Sequence, residues 1–234
     1  MKTVRAQLLG VDWRAVTLAT GQRAAAAARR SLDFAVAAAA LLLMVPLILA
    51  IAVAIKLDSR GPAFFRQPRL GRGKRAFLVN KFRTMHADTD ETRHREYVHS
   101  LIDGEAGGIE KARSEAGLYK LEGDDRVTRV GQFLRRWSLD ELPQLWNVVR
   151  GDMSLAGPRP VISYEVDVYP EWYGERFAVK PGMTGLWQVS GRNQRTYEEM
   201  VRLDIEYVRR QSLLLDLRIL AKTAVTVLRR RGVA

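Results

Sequence analysis

The chain has 234 residues, a formal net charge of +12 and no cysteine. That length carries one domain with a real core, or a small domain with appendages. The missing thiols exclude a disulfide framework, a thiolate zinc site and a cysteine nucleophile. The excess of Lys and Arg calls for an anionic partner: nucleic acid, anionic lipid headgroups or a phosphorylated substrate.

Residues 1–30 are a basic extension with an alanine tract at Ala24–Ala28. Phe34–Ile55 then runs for 22 residues without a charge, about what a tilted helix needs to cross a hydrocarbon core of roughly 30 Å. The simplest reading is a single spanning helix, and two features argue against it. Pro46 lies just past the middle, where it removes an i→i−4 hydrogen bond and kinks the helix; in lipid the freed carbonyl needs another partner. The flanks are also alike. Six Lys and Arg between Lys2 and Arg30 face one acid, Asp12, and nine between Lys56 and Arg83 face only Asp58. Positive flanks stay on the cytoplasmic side, so a spanning helix should show asymmetry. A helix that enters, bends near Pro46 and returns on the same side satisfies both observations. A signal peptide fits poorly, because the basic segment and the apolar run are both too long.

After Gly61-Pro62, "AFFRQ" and "AFLVNKF" have the length and aromatic content of short strands, and the glycines at 71 and 73 between them suggest a hairpin. Residues 86–125 are polar, charged and dotted with glycine, and read as a surface excursion whose best helix is "DTDETRHREYVHSLI". All three histidines, His86, His94 and His99, fall there; none forms an i,i+4 pair, and they read as solvated side chains rather than metal ligands.

"VTRVGQFLRRWSLDELPQLWNVVRGDMSLAG" predicts two short amphipathic helices with a break near Ser138. Arginines beside aromatic and aliphatic residues suit a helix at a membrane surface as well as an ordinary core-facing one. Residues 157–195 are loop-rich, and "SLLLDLRILAKTAVTVLRRR" predicts a final amphipathic helix with basic residues toward its end. Those charges complement the helix dipole, and the same pattern would dock on an anionic membrane.

Within the break stand two adjacent acids, Asp140 and Glu141. Ser138 and Glu141 make the S-x-x-E pattern of a capping box. Pro143 decides against Ser138 as the cap, because it would fall inside the first hydrogen-bonded turn; with Asp140 as N-cap it falls where the N–H is unpaired anyway. Adjacent residues on a helix point about 100° apart, so the two carboxylates cannot share a proton. Helix capping alone explains them, and so does a division of labour in which one carboxylate attacks and the other holds a divalent cation. Arg150 and Asp152 follow in "RGDMSLAGPRP", Arg159 lies between two prolines, and Arg192 sits in "SGRN". Guanidinium groups in rigid loops suit bidentate phosphate binding. Together with acids suited to Mg²⁺ they outline a phosphoryl-transfer site beside a membrane.

From about Arg29 onward the chain resembles the bacterial sugar transferase family, monotopic phosphoglycosyl transferases. The resemblance rests on the apolar helix with Pro46, "GPAFFRQPRLGR", "KFRTM", "SLDELPQLWNVVRGDMSLAGPRP", "KPGMTGLWQVSGRN" and "DLRILAKT". It implies transfer of a sugar-1-phosphate from a UDP-sugar to polyprenyl (undecaprenyl) phosphate, releasing UMP, as the first membrane step of exopolysaccharide, O-antigen or glycoprotein glycan assembly. By resemblance Asp140 is the nucleophile that forms a covalent phosphosugar-aspartate. Glu141 is its partner and, with Asp140, a Mg²⁺ ligand; Lys81, Arg159 and Arg192 are basic positions near the phosphates; Pro46 is the bend of a re-entrant helix. Members often carry serine before that proline, where this chain has Val45. The resemblance is to a compact catalytic unit with a short basic N-terminal extension, without the multi-span N-terminal region of larger members.

The expected fold is therefore α+β and mainly helical. It comprises the basic extension 1–30, a re-entrant membrane helix at 31–58, and a catalytic domain at 59–234 with interfacial helices and a short β-hairpin. The resemblance places it on the cytoplasmic face of a bacterial inner membrane, and a homodimer is compatible with it. A non-enzymatic, membrane-anchored basic adaptor would explain the apolar helix and the charge, but not the clustered "DE", "GPRP" and "SGRN". Nucleic-acid binding has charge alone behind it, without a recognisable motif.

Overall fold

A single helix, α1 (Trp13–Asp58), occupies 46 residues of this computed structural model, about 69 Å at 1.5 Å per residue. The structure describes residues 13–86, 126–191 and 195–228, together with Arg95, Val98, His99 and Ile102. Alanine and leucine, the strongest helix formers, fill half of α1. Pro46 lies within it, and the helix continues on both sides. Its segment Ala24–Asp58 is long and apolar enough to cross a membrane by length and composition.

Both sides of Pro46 pack on one folded unit. Before it, Ala37 is buried, and Ala40 and Leu41 join it against Val79, Leu145, Val148, Met153 and Leu155. After it, Ile51 and Ile55 pack with Ala63, Phe82 and Leu134. Polar ties reinforce each end. Arg30 donates to the carbonyls of Val148 at 2.5 Å and Val149 at 2.7 Å. Asp33 accepts from the Leu155 N–H at 3.0 Å and from the Ser154 hydroxyl. Asp58 accepts from the Val130 N–H at 3.1 Å. Leu42, Leu43, Leu49, Val53 and Leu57 stay exposed along the same helix.

The expected hairpin is present: β1 (Phe64–Leu70) pairs antiparallel with β2 (Ala76–Phe82), with Phe65 opposite Lys81. Arg83, nearly buried just after β2, fans its guanidinium over the carbonyls of Ser59, Arg60 and Pro62, and so fastens the exit of α1 to the hairpin. The two expected short helices follow. The first, α2 (Arg129–Arg136), is capped by the Thr128 hydroxyl, which accepts from the Gly131 N–H. The second, α3 (Gln144–Arg150), ends at Gly151, whose φ of 90° lets its N–H close on the carbonyls of Asn147 and Val148.

Beyond α3, β3 (Ser154–Ala156) pairs in parallel with β4 (Gly182–Thr184), which the loop-rich reading did not anticipate. The approach there needs glycine: a Cβ on Gly182 would lie 2.1 Å from the Gly157 nitrogen. Between these strands come a single turn, α4 (Ser163–Val166), and a 3₁₀ segment, Glu171–Ala178. The helix α5 (Tyr197–Arg210) opens on a capping box made by Thr196 and Glu199, and α6 (Leu213–Leu228) is the expected final helix. From α5, Met200, Val201 and Ile205 form a core with Tyr173 and Trp187. Val98, from the stretch read as a surface excursion, is fully buried in that core. His99 is not a solvated side chain as expected: its Nε2 meets the Tyr164 carbonyl at 3.1 Å. His94 lies outside the described residues.

Candidate active site

The acids Asp140 and Glu141 stand in a 3₁₀ turn, Leu139–Glu141, between α2 and α3. Asp140 does not cap α3, contrary to expectation, and Ser138, as expected, does not cap it either. Ser138 has φ 54° and ψ 22°, in the left-handed region, and makes no side-chain cap. It ends α2 in the way glycine or asparagine usually does, and redirects the chain into the acidic turn. Pro143 itself occupies the N-cap position of α3 with φ −62°. Its missing N–H falls among the unpaired donors of a helix start, so the helix begins after it and the acids precede it by a turn.

Two leucines flank the acids and fix the turn. Leu139 and Leu142 pack against the cluster that holds Ile51 and Ile55 of α1. The acids therefore lie beside the apolar helix. On the other side, Lys81 of β2 places its Nζ 3.0 Å from Glu141 Oε1, with both side chains partly exposed. Asn147, fully buried in α3, holds the two elements in register. Its Oδ1 accepts from the Asn80 N–H at 3.0 Å and the Asn80 side chain at 2.9 Å, and its Nδ2 donates to the Leu78 carbonyl at 2.6 Å. Arg150 pairs with Asp152 on the surface just beyond α3, at 3.5 Å.

Arg159 is half-buried in the "GPRP" loop and acts electrostatically on two buried acids, Glu165 and Asp204. Burial pushes the Glu165 carboxyl up. The guanidinium groups of Arg159 and Arg69, the Ile162 N–H and the Tyr197 hydroxyl more than offset that, and hold it below the usual carboxylate range. Burial pushes Asp204 up to about 6, against the opposing pull of Arg176 and Arg159. Arg192 lies outside the described residues; the chain after it is fastened by Arg195, which donates to the Ser190 carbonyl at 3.1 Å.

Among the described residues no three His, Asp or Glu side chains converge as a cation site. Asp140 and Glu141 supply a two-carboxylate donor set. That suits Mg²⁺, which keeps several waters and takes the rest of its oxygens from substrate phosphates.

Sequence reading missed Asn147, Glu165, Arg176 and Asp204. Asp204 carried a signal: it falls on the apolar stripe of α5 with Tyr197, Met200, Val201 and Ile205, where a lone acid implies a buried partner. Glu165 and Arg176, in a loop-rich stretch without periodicity, carried none.

Residues 24–230 match the model of a family described as Bacterial sugar transferase. The UDP-galactose-lipid carrier transferase of Erwinia amylovora is 42% identical over 205 residues, covering 87% of this chain and 41% of the relative. The undecaprenyl-phosphate galactose phosphotransferase of Salmonella typhimurium is 41% identical over 204 residues, covering 87% and 41%. The exopolysaccharide production protein ExoY of Rhizobium meliloti is 42% identical over 205 residues, covering 88% and 87%. The chain thus spans about two fifths of the first two relatives and most of the third. With the family's motifs in order and its model matched over nearly the whole chain, this protein belongs to the bacterial sugar transferase family.

Proposed function

We propose that the protein transfers a sugar-1-phosphate from a UDP-sugar to polyprenyl phosphate, releasing UMP and forming a polyprenyl-diphosphate sugar. One observation carries this reading: the Asp140–Glu141 turn packs beside the apolar helix and meets Lys81 through Glu141. A soluble phosphorylated donor and a lipid phosphate could reach the same carboxylates there. The names of the relatives, which include galactose and glucose phosphotransferases acting on undecaprenyl phosphate, support the reaction class.

In the proposed route an Asp140 oxygen attacks the sugar-bearing phosphorus. The bond from that phosphorus to the bridging oxygen breaks, and the electron pair leaves with UMP. An oxygen of polyprenyl phosphate then attacks the phosphosugar-aspartate, and the carboxylate of Asp140 is restored. Splitting the transfer in two lets both substrates use one site in turn. Lys81 positions Glu141 and contributes positive charge beside the diphosphate, while Arg159 and Arg192 offer guanidinium groups from their loops. Mg²⁺, held by Glu141 and Asp140, would neutralise charge on the diphosphate.

The same reading makes α1 a re-entrant helix, with the catalytic unit on the cytoplasmic face of a bacterial inner membrane. Its support is that both sides of Pro46 pack on one unit, with Arg30 and Asp33 tied before the proline and Asp58 after it. Contacts to one unit from both flanks favour a helix whose ends lie on the same side of the membrane. Probes at residues 10 and 60 are expected to be labelled from the same side of intact cells, and labelling from opposite sides would refute the hairpin.

The reaction is tested by UMP release from a panel of UDP-sugars with polyprenyl phosphate and Mg²⁺. Asp140→Asn is expected to reduce release to background. Near-normal turnover in that variant would remove Asp140 as nucleophile, and lipid binding without UMP release across the panel would favour the adaptor.

A further inference from the structure

Beneath the "GPRP" loop lies a sealed set of charges that the route above does not use. Arg69 of β1, Glu165 of α4, Arg176 of the 3₁₀ segment and Asp204 of α5 are all buried, the last three at 2% exposure or less. Their hydrogen bonds converge on the loop's main chain. Arg176 donates to the Arg159 carbonyl at 3.3 Å, and Arg69 donates to the Pro160 carbonyl at 3.2 Å. The Leu70 N–H donates to the Val161 carbonyl at 2.8 Å, and Glu165 accepts from the Ile162 N–H at 2.9 Å. Four consecutive residues, Arg159–Ile162, are thus each held by a group from outside their own segment or from the turn that follows. Arg176 is itself fixed by Asp204 and by the Tyr169 hydroxyl, to which it donates at 3.0 Å.

We propose that Arg176 and Asp204 are positioning residues that fix the main chain of the Arg159 loop, so that the Arg159 guanidinium meets the diphosphate of the nucleotide-sugar donor. This rests on the transfer reaction proposed above.

Stability alone does not account for the pair. Apolar side chains of similar volume usually stabilise an interior as well as a buried ion pair, or better. Asp204 illustrates the cost. Its folded-state pKa of about 6 lies above the ordinary 3.8. Its contribution to stability is therefore fully present below 3.8 and lost as pH rises through about 6. Glu165 works in the opposite sense: its pKa is lowered, so its contribution is present above 4.5 and lost as pH falls through the folded-state value. At neutral pH the fold keeps Asp204 ionised against its own desolvation. In return the Arg176 fork is anchored, with donors aimed at the Arg159 carbonyl, Tyr169 and Asp204. The charges that face Asp204 are Arg176 from the 3₁₀ segment and Arg159 from the loop, with Arg69 of β1, Glu165 of α4, and the hydroxyls of Tyr169 and Tyr197 completing the network. Of the three guanidinium groups around these carboxylates, Arg159 is the most exposed, and it is the one a donor phosphate would reach at the loop.

The test uses the full chain and UMP release at saturating acceptor, so that the acceptor's own titration does not enter. Asp204→Asn keeps an acceptor oxygen for Arg176 and removes the charge; Arg176→Lys keeps the charge and removes the fork. Each is expected to raise the donor KM about tenfold, with a smaller change in kcat, as a misplaced positioning group does. Wild-type donor KM should also rise as pH falls below about 6, and Asp204→Asn should lack that limb while keeping its melting temperature at neutral pH. Unchanged donor KM in both variants overturns the inference, as does a KM rise that tracks loss of melting temperature in both. If Asp204→Asn does not fold, Arg176→Lys decides alone by the same readout. Wild-type protein that releases no UMP from any donor overturns the reaction and this inference with it; wild-type turnover with unaltered variants overturns the inference only.

Discussion

Two ion pairs in this molecule use the same chemistry under opposite conditions. Lys81 and Glu141 meet at 3.0 Å with side chains 27% and 37% exposed, while Arg176 and Asp204 are 1% and 0% exposed. Water screens the first pair, so it contributes only about 0–1 kcal/mol to stability and its members can exchange partners. The second has been stripped of water, so its members are committed to each other and to the loop they hold. The open pair includes one of the two acids in the turn that packs beside the apolar helix, where the proposed reaction would bring the substrates. The sealed pair lies in the interior against the Arg159 carbonyl, where a change of partner would disturb the backbone.

The comparison breaks most visibly at the sealed pair. Arg176→Ala leaves the Asp204 carboxylate buried without its partner, and is expected to destabilise the fold by about 3–5 kcal/mol, since removing one member of a buried pair strands the other. Thermal or denaturant unfolding of the purified protein measures this; a loss below 1 kcal/mol would show that the interior tolerates the stranded charge. An intermediate case is Asp33, which ties the start of the apolar helix to Ser154 and Leu155. Asp33→Ala should cost about 1–3 kcal/mol through the donors left unsatisfied. It should also raise the accessibility of a probe on residues 24–30, and an unchanged unfolding midpoint would show that packing of Ala37 and Leu41 suffices.

The two pairs also differ in how far the sequence revealed them. The acids were legible because two carboxylates precede a proline between two amphipathic patterns, and Lys81 because its motif resembles a known family. The hairpin and the terminal helix were legible from alternation and period, which are local. The local reading failed at Asp140, expected as the N-cap of α3: Pro143 takes that position, and Ser138, already set aside as a cap, adopts a left-handed conformation that ends the preceding helix. It failed again at β3 and β4, two three-residue strands brought together from 28 positions apart. Neither is long enough for alternation to be read, and only the closeness of Gly157 and Gly182 explains why glycine stands there. The sealed network was illegible for the same reason: Arg69, Glu165, Arg176 and Asp204 come from four separate elements. "TYEE" at Thr196–Glu199 fits a capping box that would have announced α5 and the odd acid on its apolar face, but the sequence reading passed over both.

The smallest stability effect is the most informative about the open pair. Lys81→Met keeps the length of the stem and removes the ammonium, so Glu141 loses an ion pair that water already screens. Unfolding should shift by no more than about 1 kcal/mol. UMP release should nevertheless fall well beyond what that shift implies, because the same ammonium is expected to orient Glu141 and to face the donor diphosphate. If activity and stability both stay near wild type, Lys81 is a surface residue that happens to touch Glu141. If stability instead falls by several kcal/mol, the pair behaves like the sealed one, and partial exposure would not be what separates a site that handles ligands from a scaffold that holds it.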